Sequence, residues 1–278
     1  AGRGHHVACF TGGKRMVLTN LLSGNALVMG NDASDSDTYL KTISEINLCE
    51  PEKEKDGTTG VPNNAFPHGL VYSKVTDRVY NLNNGYGTIA VINTETAEIE
   101  SRIPLKGCSN LLDSPCGNFV IGKGADRKGN PDHVIGKLAV IDVKARKEVN
   151  TIEPQDYYPS CYRFSPDGKK LYVTSAATGK GAQKDNLKIN TVQVYDATKL
   201  PELPLIKEVE VGVADVSRRP IAFTVDSNNY RVFVPNPTDG TVSILDGTND
   251  TLLNTIKVGK PGAMEINFSY LEMSVYGA

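Results

Sequence analysis

The sequence contains a repeat, described below, whose copies start at an apolar residue, most often Phe or Tyr. Side chains that could take part in chemistry recur four residues before the start of each copy. A histidine at this position would titrate near neutral pH and could act as a general acid or base. An arginine could hold a carboxylate through forked hydrogen bonds. We therefore predict catalytic roles for His6, His68 and Arg219, with Arg219 orienting a substrate. The six residues at this position are His6, His68, Cys108, Ser160, Arg219 and Met264.

Other polar and aromatic residues lie next to these positions. A tyrosine pair precedes the fourth of them and Arg218 the fifth, so an aromatic or carboxylate-bearing ligand could be held by stacking and hydrogen bonds. The alternative is structural: a histidine could hydrogen-bond the backbone of a neighbouring repeat, and Arg219 could pair with Asp156 or Asp215. The predicted substrate-binding residues are Tyr157, Tyr158, Ser160, Arg218, Cys108, Cys161, Met264 and His133.

Imidazole, thiolate and thioether groups are also ligands for copper or zinc. Metal–ligand bonds are about 2–2.3 Å long, so only neighbours such as His6 with His68, or Cys108 with Cys161, could share one ion. Calcium prefers several carboxylate or carbonyl oxygens, and none of the six positions is Asp or Glu. We predict no cofactor, with copper or zinc as the less favoured alternative.

Five cysteines leave at least one thiol outside any disulfide within the chain. Cys108 and Cys116 are predicted at opposite ends of one strand, beyond the Cα separation of about 7 Å that a disulfide allows. A bridge from Cys108 to Cys161, or from either of them to Cys49, is the favoured pairing.

An internal repeat places these residues. Its clearest copy is Phe164-Ser-Pro-Asp-Gly-Lys-Lys-Leu-Tyr-Val173, which predicts a strand, a turn and a second strand. A second signature has alternating apolar and β-branched residues and a final Asn or Asp that predicts a turn. The copies of the first signature start at residues 10, 72, 112, 164, 223 and 268, and those of the second span 87–93, 136–142, 190–196 and 240–246.

A fourth short strand is predicted after each second signature, over 98–103, 148–152, 206–211 and 252–258, and over 42–48 in the first repeat. Four short antiparallel strands per repeat are the pattern of a propeller blade. We predict an all-β fold, a single β-propeller domain of about six four-stranded blades over residues 1–278. The blades are expected to start near residues 5, 67, 107, 159, 218 and 263. Only two residues follow Tyr276, so the last blade is expected to be incomplete.

Two segments resemble the YVTN-type repeats of bacterial, archaeal and fungal β-propellers, a group that shades into the lactonase-like propellers. They are 164–174, Phe-Ser-Pro-Asp-Gly-Lys-Lys-Leu-Tyr-Val-Thr, and 240–246, Gly-Thr-Val-Ser-Ile-Leu-Asp. The resemblance implies a propeller fold over nearly the whole chain. It implies no single function, because such propellers serve as enzymes, surface-layer modules and binding platforms. Metal-dependent lactonases of this kind have acidic residues at the channel mouth, and the six positions here have none.

Propeller connectivity places the blade entrances and the loops after each second strand on one face, which we call the entrance face. Two of these loops are long, 122–136 with His133 and 175–190. Long loops without strands are often functional. They could form a lid or a partner-binding surface over the funnel, or they could be solvent-exposed charged loops without a binding role.

Composition limits the function further. The 278 residues are 39% hydrophobic and 22% charged, with a net charge of -2, which is typical of a globular protein. The near balance of charge argues against a nucleic-acid partner, and no apolar run is long enough to predict a membrane span. The chain starts without Met, which suggests processing, and we predict a secreted or periplasmic location.

These observations predict a small-molecule-binding propeller with its site in the central funnel of the entrance face. If it is catalytic, histidines would act as acid, base or polarising groups in a lyase, isomerase or hydrolase without an organic cofactor. One alternative is a non-catalytic extracellular module that binds a protein or glycan through loops 122–136 and 175–190. The other is a periplasmic copper or redox protein.

Overall fold

The protein is built from short β-strands grouped in sheets of four. The structure is a computed structural model and describes residues 8–53, 61–216, 218–224 and 228–261. The first sheet contains β1 (Ala8–Thr11), β2 (Arg15–Asn20), β3 (Asn25–Gly30) and β4 (Thr42–Asn47). The second contains β5 (Pro67–Ser73), β6 (Arg78–Asn83), β7 (Thr88–Asn93) and β8 (Glu98–Pro104).

Three further sheets follow in the same way. The third contains β9 (Cys108–Asp113), β10 (Phe119–Asp126), β11 (Ile135–Asp142) and β12 (Lys147–Ile152). The fourth contains β13 (Pro159–Phe164), β14 (Lys170–Ser175), β15 (Thr191–Asp196) and β16 (Leu205–Glu210). The fifth contains β17 (Ala222–Phe223), β18 (Arg231–Asn236), β19 (Thr241–Asp246) and β20 (Thr251–Lys257). A short helix, α1 (Gln183–Asn186), lies in the loop between β14 and β15.

Each sheet keeps its strands in chain order, and each strand pairs antiparallel with the next in the sheets for which the full register is defined, such as the second and the fifth. This is the four-stranded blade of a β-propeller, so the predicted all-β propeller class is confirmed. The predicted sixth blade falls on 262–278, which lie outside the described residues.

The described chain groups into two compact units. The first comprises the chain up to Lys123 together with Leu138–Thr151, and the second comprises Gly124–Lys137 and the chain from Ile152 onward. A single domain over the whole chain therefore stays a prediction.

Each unit has its apolar core between successive sheets. In the first unit, one cluster joins the first and second sheets through residues such as Val28 and Val79, and another joins the second and third through Leu82 and Ile141. In the second unit, Tyr172, Val194 and Val232 belong to a cluster that joins the fourth and fifth sheets.

The third strand of the second sheet is buried along most of its length. In β7, Ile89, Ala90, Val91 and Ile92 all have no exposed surface. The sequence pattern predicted apolar residues at alternate positions of this strand. The structure differs because the second sheet packs against a neighbouring sheet on each face, which removes the central side chains of β7 from water.

The predicted turn after each third strand is closed by its own Asn or Asp. The side-chain oxygen of this residue accepts a hydrogen bond from the backbone N–H two residues later, an arrangement that Asn and Asp favour. The four bonds are Glu95 N to Asn93 (3.0 Å), Lys144 N to Asp142 (2.8 Å), Thr198 N to Asp196 (2.9 Å) and Thr248 N to Asp246 (2.8 Å).

An ion-pair cluster centred on Glu100 lies on the outer strand β8. Arg78 Nε donates to Glu100 Oε1 at 2.8 Å, and Arg146 Nη2 donates to Glu100 Oε2 at 2.5 Å. Asn93 adds a third donor at 3.2 Å. The hydrogen bonds from Arg78 and then Arg146 lower the pKa of the Glu100 carboxyl to about 2, so the folded protein prefers the ionised form.

We expect the Glu100 cluster to give the stability of the protein a specific pH dependence. The pKa is lower in the folded than in the unfolded chain, so the contribution is complete above about pH 4.5 and is lost as the pH falls toward about 2. Urea unfolding of the wild type and Glu100→Gln from pH 7 to pH 2.5 should show a difference in unfolding free energy that shrinks with acidity. A difference independent of pH would contradict this. Glu95→Gln, which removes one largely exposed pair with Arg15, is the control and should change the profile less.

Candidate functional site

The second unit brings a histidine and a carboxylate together on two of its loops. His133 lies in the loop after β10, and Asp156 lies just before β13. His133 Nδ1 is 2.8 Å from Asp156 Oδ1, and the two side chains are 34% and 19% exposed. Because an ionised carboxylate can only accept, Nδ1 carries the proton and Nε2 is the nitrogen able to take one.

The loop that carries His133 is fixed by side-chain hydrogen bonds to its backbone. Asn130 Oδ1 accepts from the backbone N–H of His133 at 3.1 Å. Gln183, on α1, is 1% exposed, and its Nε2 donates to Asn130 O at 2.6 Å and to Arg127 O at 3.3 Å. A buried amide from one long loop therefore fixes the backbone of the other.

Asp156 is positioned by an unusual backbone. Its φ is +56°, in the left-handed region that Asp tolerates better than most residues. Its N–H donates to Val134 O at 2.8 Å, and its carbonyl accepts from Lys188 N at 2.9 Å. These two backbone hydrogen bonds hold Asp156 in its positive-φ conformation, which is common where a side chain needs a fixed orientation.

An aromatic ring and a cation lie in the same group of loops. The guanidinium carbon of Arg127 is 5.6 Å from the centroid of the Tyr158 ring, which is half-buried. This is the distance of a cation–π contact. The loops thus combine an oriented imidazole with a face for an aromatic or anionic group.

The predicted catalytic histidine His68 lies in the first unit, on β5. Its Nδ1 is 2.7 Å from the backbone oxygen of Ser109, on β9 of the next sheet. That contact is the one expected from the structural interpretation, a histidine bonded to the backbone of a neighbouring repeat. Catalysis by His68 stays a prediction, as does catalysis by His6, which lies outside the described residues.

Arg219 is fully buried and bonded to the protein through its whole guanidinium. Nε donates to Pro235 O at 2.8 Å, and Nη1 donates to Ser175 Oγ and Ile189 O, both at 3.3 Å. Nη2 donates to Asn236 Oδ1 at 2.5 Å and to Gly212 O. The five N–H groups are all used, so in this structure none remains to orient a substrate. Burial lowers the pKa of Arg219 to about 10, so it stays charged at neutral pH.

Tyr157 is likewise an interior residue. It has no exposed surface, and its hydroxyl lies 2.7 Å from Val173 O. Burial raises the pKa of the Tyr157 hydroxyl. The structure therefore separates the tyrosine pair: Tyr158 faces the loops near Arg127, and Tyr157 packs inside.

The other predicted substrate-binding residues are dispersed. Ser160 is buried, and its Oγ accepts from Arg219 N at 3.0 Å. Cys108 is buried in the core of the first unit, Cys161 is half-buried, and Arg218 is exposed. Met264 lies outside the described residues. The favoured disulfide pairings do not form in this structure, since Cys49, Cys108, Cys116 and Cys161 all carry thiols.

The sequence named His133 and Tyr158 but did not predict their partners. The sequence suggested Asp156 as a partner for Arg219, whereas in the structure it bonds His133. Arg127 lay within a loop singled out for its length, which is the one signal that pointed to it. Nothing in the sequence marks Gln183, because its role depends on how two loops fold against each other.

Two absences concern the described residues only. Within 8–53, 61–216, 218–224 and 228–261, no three His, Cys, Asp or Glu side chains form a group that could hold a metal ion. The same ranges contain no helix long and apolar enough to cross a membrane. The prediction of no cofactor, with copper or zinc as the less favoured alternative, is not tested by this finding.

Comparison with known proteins identifies the fold. No family model and no curated protein matches the chain. Among solved structures, hydrazine synthase from Kuenenia stuttgartiensis superposes with a TM-score of 0.61 at 16% identity, over 91% of this chain and 68% of the other. A 6-phosphogluconolactonase-like protein from Bacteroides fragilis gives 0.55 at 17% identity, over 91% and 70%. One from Bacteroides uniformis gives 0.55 at 14% identity, over 91% and 71%.

At these identities the likeness extends to the fold alone. The solved structures are β-propellers of antiparallel sheets, and this chain shares that class of architecture. The YVTN family itself stays a resemblance of the sequence.

Arg219→Met should destabilise the protein by about 3 kcal/mol or more, because it leaves several buried acceptors without donors. Arg219→Lys should recover only part of this, since an ammonium cannot reproduce the planar fork. The exposed neighbour Arg218 provides the control, and Arg218→Met should stay within about 0.5 kcal/mol of the wild type. Chemical denaturation measures all three. Equal stability of the Arg219→Met and Arg218→Met variants would refute the structural role.

Proposed function

We propose that the protein binds a small organic molecule on the entrance-face loops of its second unit and catalyses its hydrolysis, with His133 as general base. The observation that supports this most directly is the 2.8 Å contact between His133 Nδ1 and Asp156 Oδ1, with both side chains partly exposed. A carboxylate on Nδ1 fixes the tautomer and stabilises the imidazolium that forms when Nε2 takes a proton.

The proposed reaction is the opening of an ester or lactone by water. His133 Nε2 removes a proton from water as the water oxygen bonds to the carbonyl carbon. The bond between that carbon and the leaving alkoxide oxygen then breaks, and the imidazolium returns its proton to the alkoxide. Only the chain's own residues and water take part in this step.

Substrate positioning falls to the residues around the pair. Arg127 and the half-buried ring of Tyr158 offer a cation and a stacking face, which suit a substrate bearing an anionic or planar group. The lactone class is suggested by the two Bacteroides neighbours, which are 6-phosphogluconolactonase-like. At 14–17% identity this adds a substrate class to test and no residue roles.

Replacing either member of the pair should lower turnover with little effect on folding. A panel of D-glucono-δ-lactone, 6-phosphoglucono-δ-lactone and p-nitrophenyl acetate can be followed by acid release or absorbance. On any compound hydrolysed by the wild type, His133→Gln should lower kcat/KM by about 10²–10⁴-fold, the usual contribution of a general base. Asp156→Asn should lower it by at least about 10-fold, because the amide can stabilise the wrong tautomer.

The matched control is His68→Gln, the same substitution at the histidine bonded to Ser109 O. Loss of activity in His68→Gln with full activity in His133→Gln would assign the base to His68 and overturn the proposal. If no compound in the panel is hydrolysed, the catalytic part fails. Binding is then tested separately by thermal shift of the wild type and His133→Gln with each compound.

A further inference from the structure

Within the part of the chain that the structure describes, three buried side-chain atoms of the first unit have no hydrogen-bond partner. They are Thr19 Oγ1, Asn81 Oδ1 and Asn83 Nδ2, and all three residues have no exposed surface. Buried polar atoms are nearly always paired, because an unpaired one loses its hydrogen bonds to water without replacement. Three such atoms therefore call for a hydrogen-bonding partner beyond the described residues.

The three atoms belong to one interface between the first and second sheets. Asn81 Nδ2 donates to Asn83 Oδ1 at 2.7 Å, so these two amides are in contact. Thr19 is the cross-strand partner of Ala26, and Asn81 is that of Ala90. Cross-strand partners point to the same face of a sheet. Ala26 and Ala90 are members of one buried cluster, so Thr19 and Asn81 face each other's sheet.

Cross-strand partners on successive strands form a row across each sheet, and the rows that contain Thr19 and Asn81 end at a surface cleft. In the first sheet the row runs Thr19, Ala26, Ile46, and in the second it runs Asn81, Ala90, Arg102. Ile46 and Arg102, the outer ends of the two rows, both line a cleft of about 450 Å³. At about 4.8 Å per strand, the polar atoms lie roughly 10 Å inward from it. Only the small side chains of the two alanines occupy the rows between.

The interface between the fourth and fifth sheets, in the second unit, has polar residues at equivalent positions, and there they are hydrogen-bonded. Thr174 and Asn236 occupy the same strand positions in β14 and β18 as Thr19 and Asn83 do in β2 and β6. There, Thr174 Oγ1 donates to Arg219 O at 2.6 Å, and the guanidinium of Arg219 bonds Asn236 Oδ1. The chain fills that interface with its own arginine.

In the first unit, an asparagine and not an arginine enters the interface between the two sheets. Asn63 enters the interface beneath Gly24, where its Nδ2 bonds Gly24 O at 3.2 Å and Asn47 Oδ1 at 3.3 Å. A Cβ on Gly24 would lie 1.9 Å from Asn63 Oδ1, so the amide is tightly seated. Its short side chain bonds the edge of the interface, and Thr19 Oγ1, Asn81 Oδ1 and Asn83 Nδ2 stay without a partner among the described residues.

We propose that this interface is a binding site for a neutral hydroxyl group. The unpaired set comprises an acceptor, a donor and a hydroxyl that can be either, which together match a group that both donates and accepts. The surrounding residues of the cluster are apolar, which disfavours a charged occupant. The hydroxyl comes from an ordered water or from a small polyol that enters through the cleft. The site shares no residue with the proposed hydrolytic site.

Thr19→Val tests the site, because it removes the hydroxyl and keeps the side-chain shape. With an occupant bonded to Thr19, the variant should lower Tm by roughly 2–4 °C, the usual effect of losing one buried hydrogen bond in a chain of this size. Without one, removing an unpaired hydroxyl should leave Tm unchanged or raise it, and that result overturns the proposal. Thr174→Val is the matched control and should lower Tm in any case, since its hydroxyl bonds Arg219 O.

Polyols distinguish the two sources of the hydroxyl. Glycerol, erythritol and D-glucose are each titrated against the wild type and Thr19→Val, and the rise in Tm is compared. A larger rise in the wild type assigns the site to a polyol. An equal rise, together with the lower Tm of Thr19→Val, assigns it to water. High-resolution crystallographic density within about 3.2 Å of both Thr19 Oγ1 and Asn81 Oδ1 should accompany either result, and its absence would refute the site.

Discussion

Packing a four-stranded sheet against neighbours on both faces buries both faces of its middle strands, so every buried polar side chain at a strand end needs a hydrogen-bonding partner. The two units meet this requirement in different ways. Arg219 spreads one guanidinium over five acceptors, drawn from strand ends and the segments between them. Asn63 supplies a single amide that reaches only the rim of its interface. Differences between blades thus arise in how the buried strand ends are hydrogen-bonded, while the strands themselves are near copies.

The sequence was sufficient for the strands because their signals are local. The turn after each third strand depends on one Asn or Asp, such as Asn93 or Asp246, and its hydrogen bond spans two residues. The repeat therefore predicted the sheets and the class of fold. It did not predict that β7 is buried on both faces, because burial depends on the neighbouring sheets.

The candidate site was predictable only in part, for the same reason. Loop length drew attention to His133, and the tyrosine pair drew attention to Tyr158. The 2.8 Å pairing with Asp156 depends on a positive φ that no residue type enforces. Arg219 was assigned to a ligand because a guanidinium is usually exposed or paired with an acid. In this structure three backbone carbonyls and two side-chain oxygens from several segments surround it. No local sequence pattern predicts such a set of acceptors.

The buried amide of Gln183 has a consequence for how the loops could change. It lies in the loop 175–190 and bonds the backbone of Asn130 in the loop 122–136. The orientation of His133 therefore depends on both loops. Insertions or composition changes in 122–136 would be tolerated only when 175–190 changed in a compatible way. Diversification of this surface would then proceed by paired substitutions, and libraries that randomise one segment alone would recover few members with an oriented imidazole.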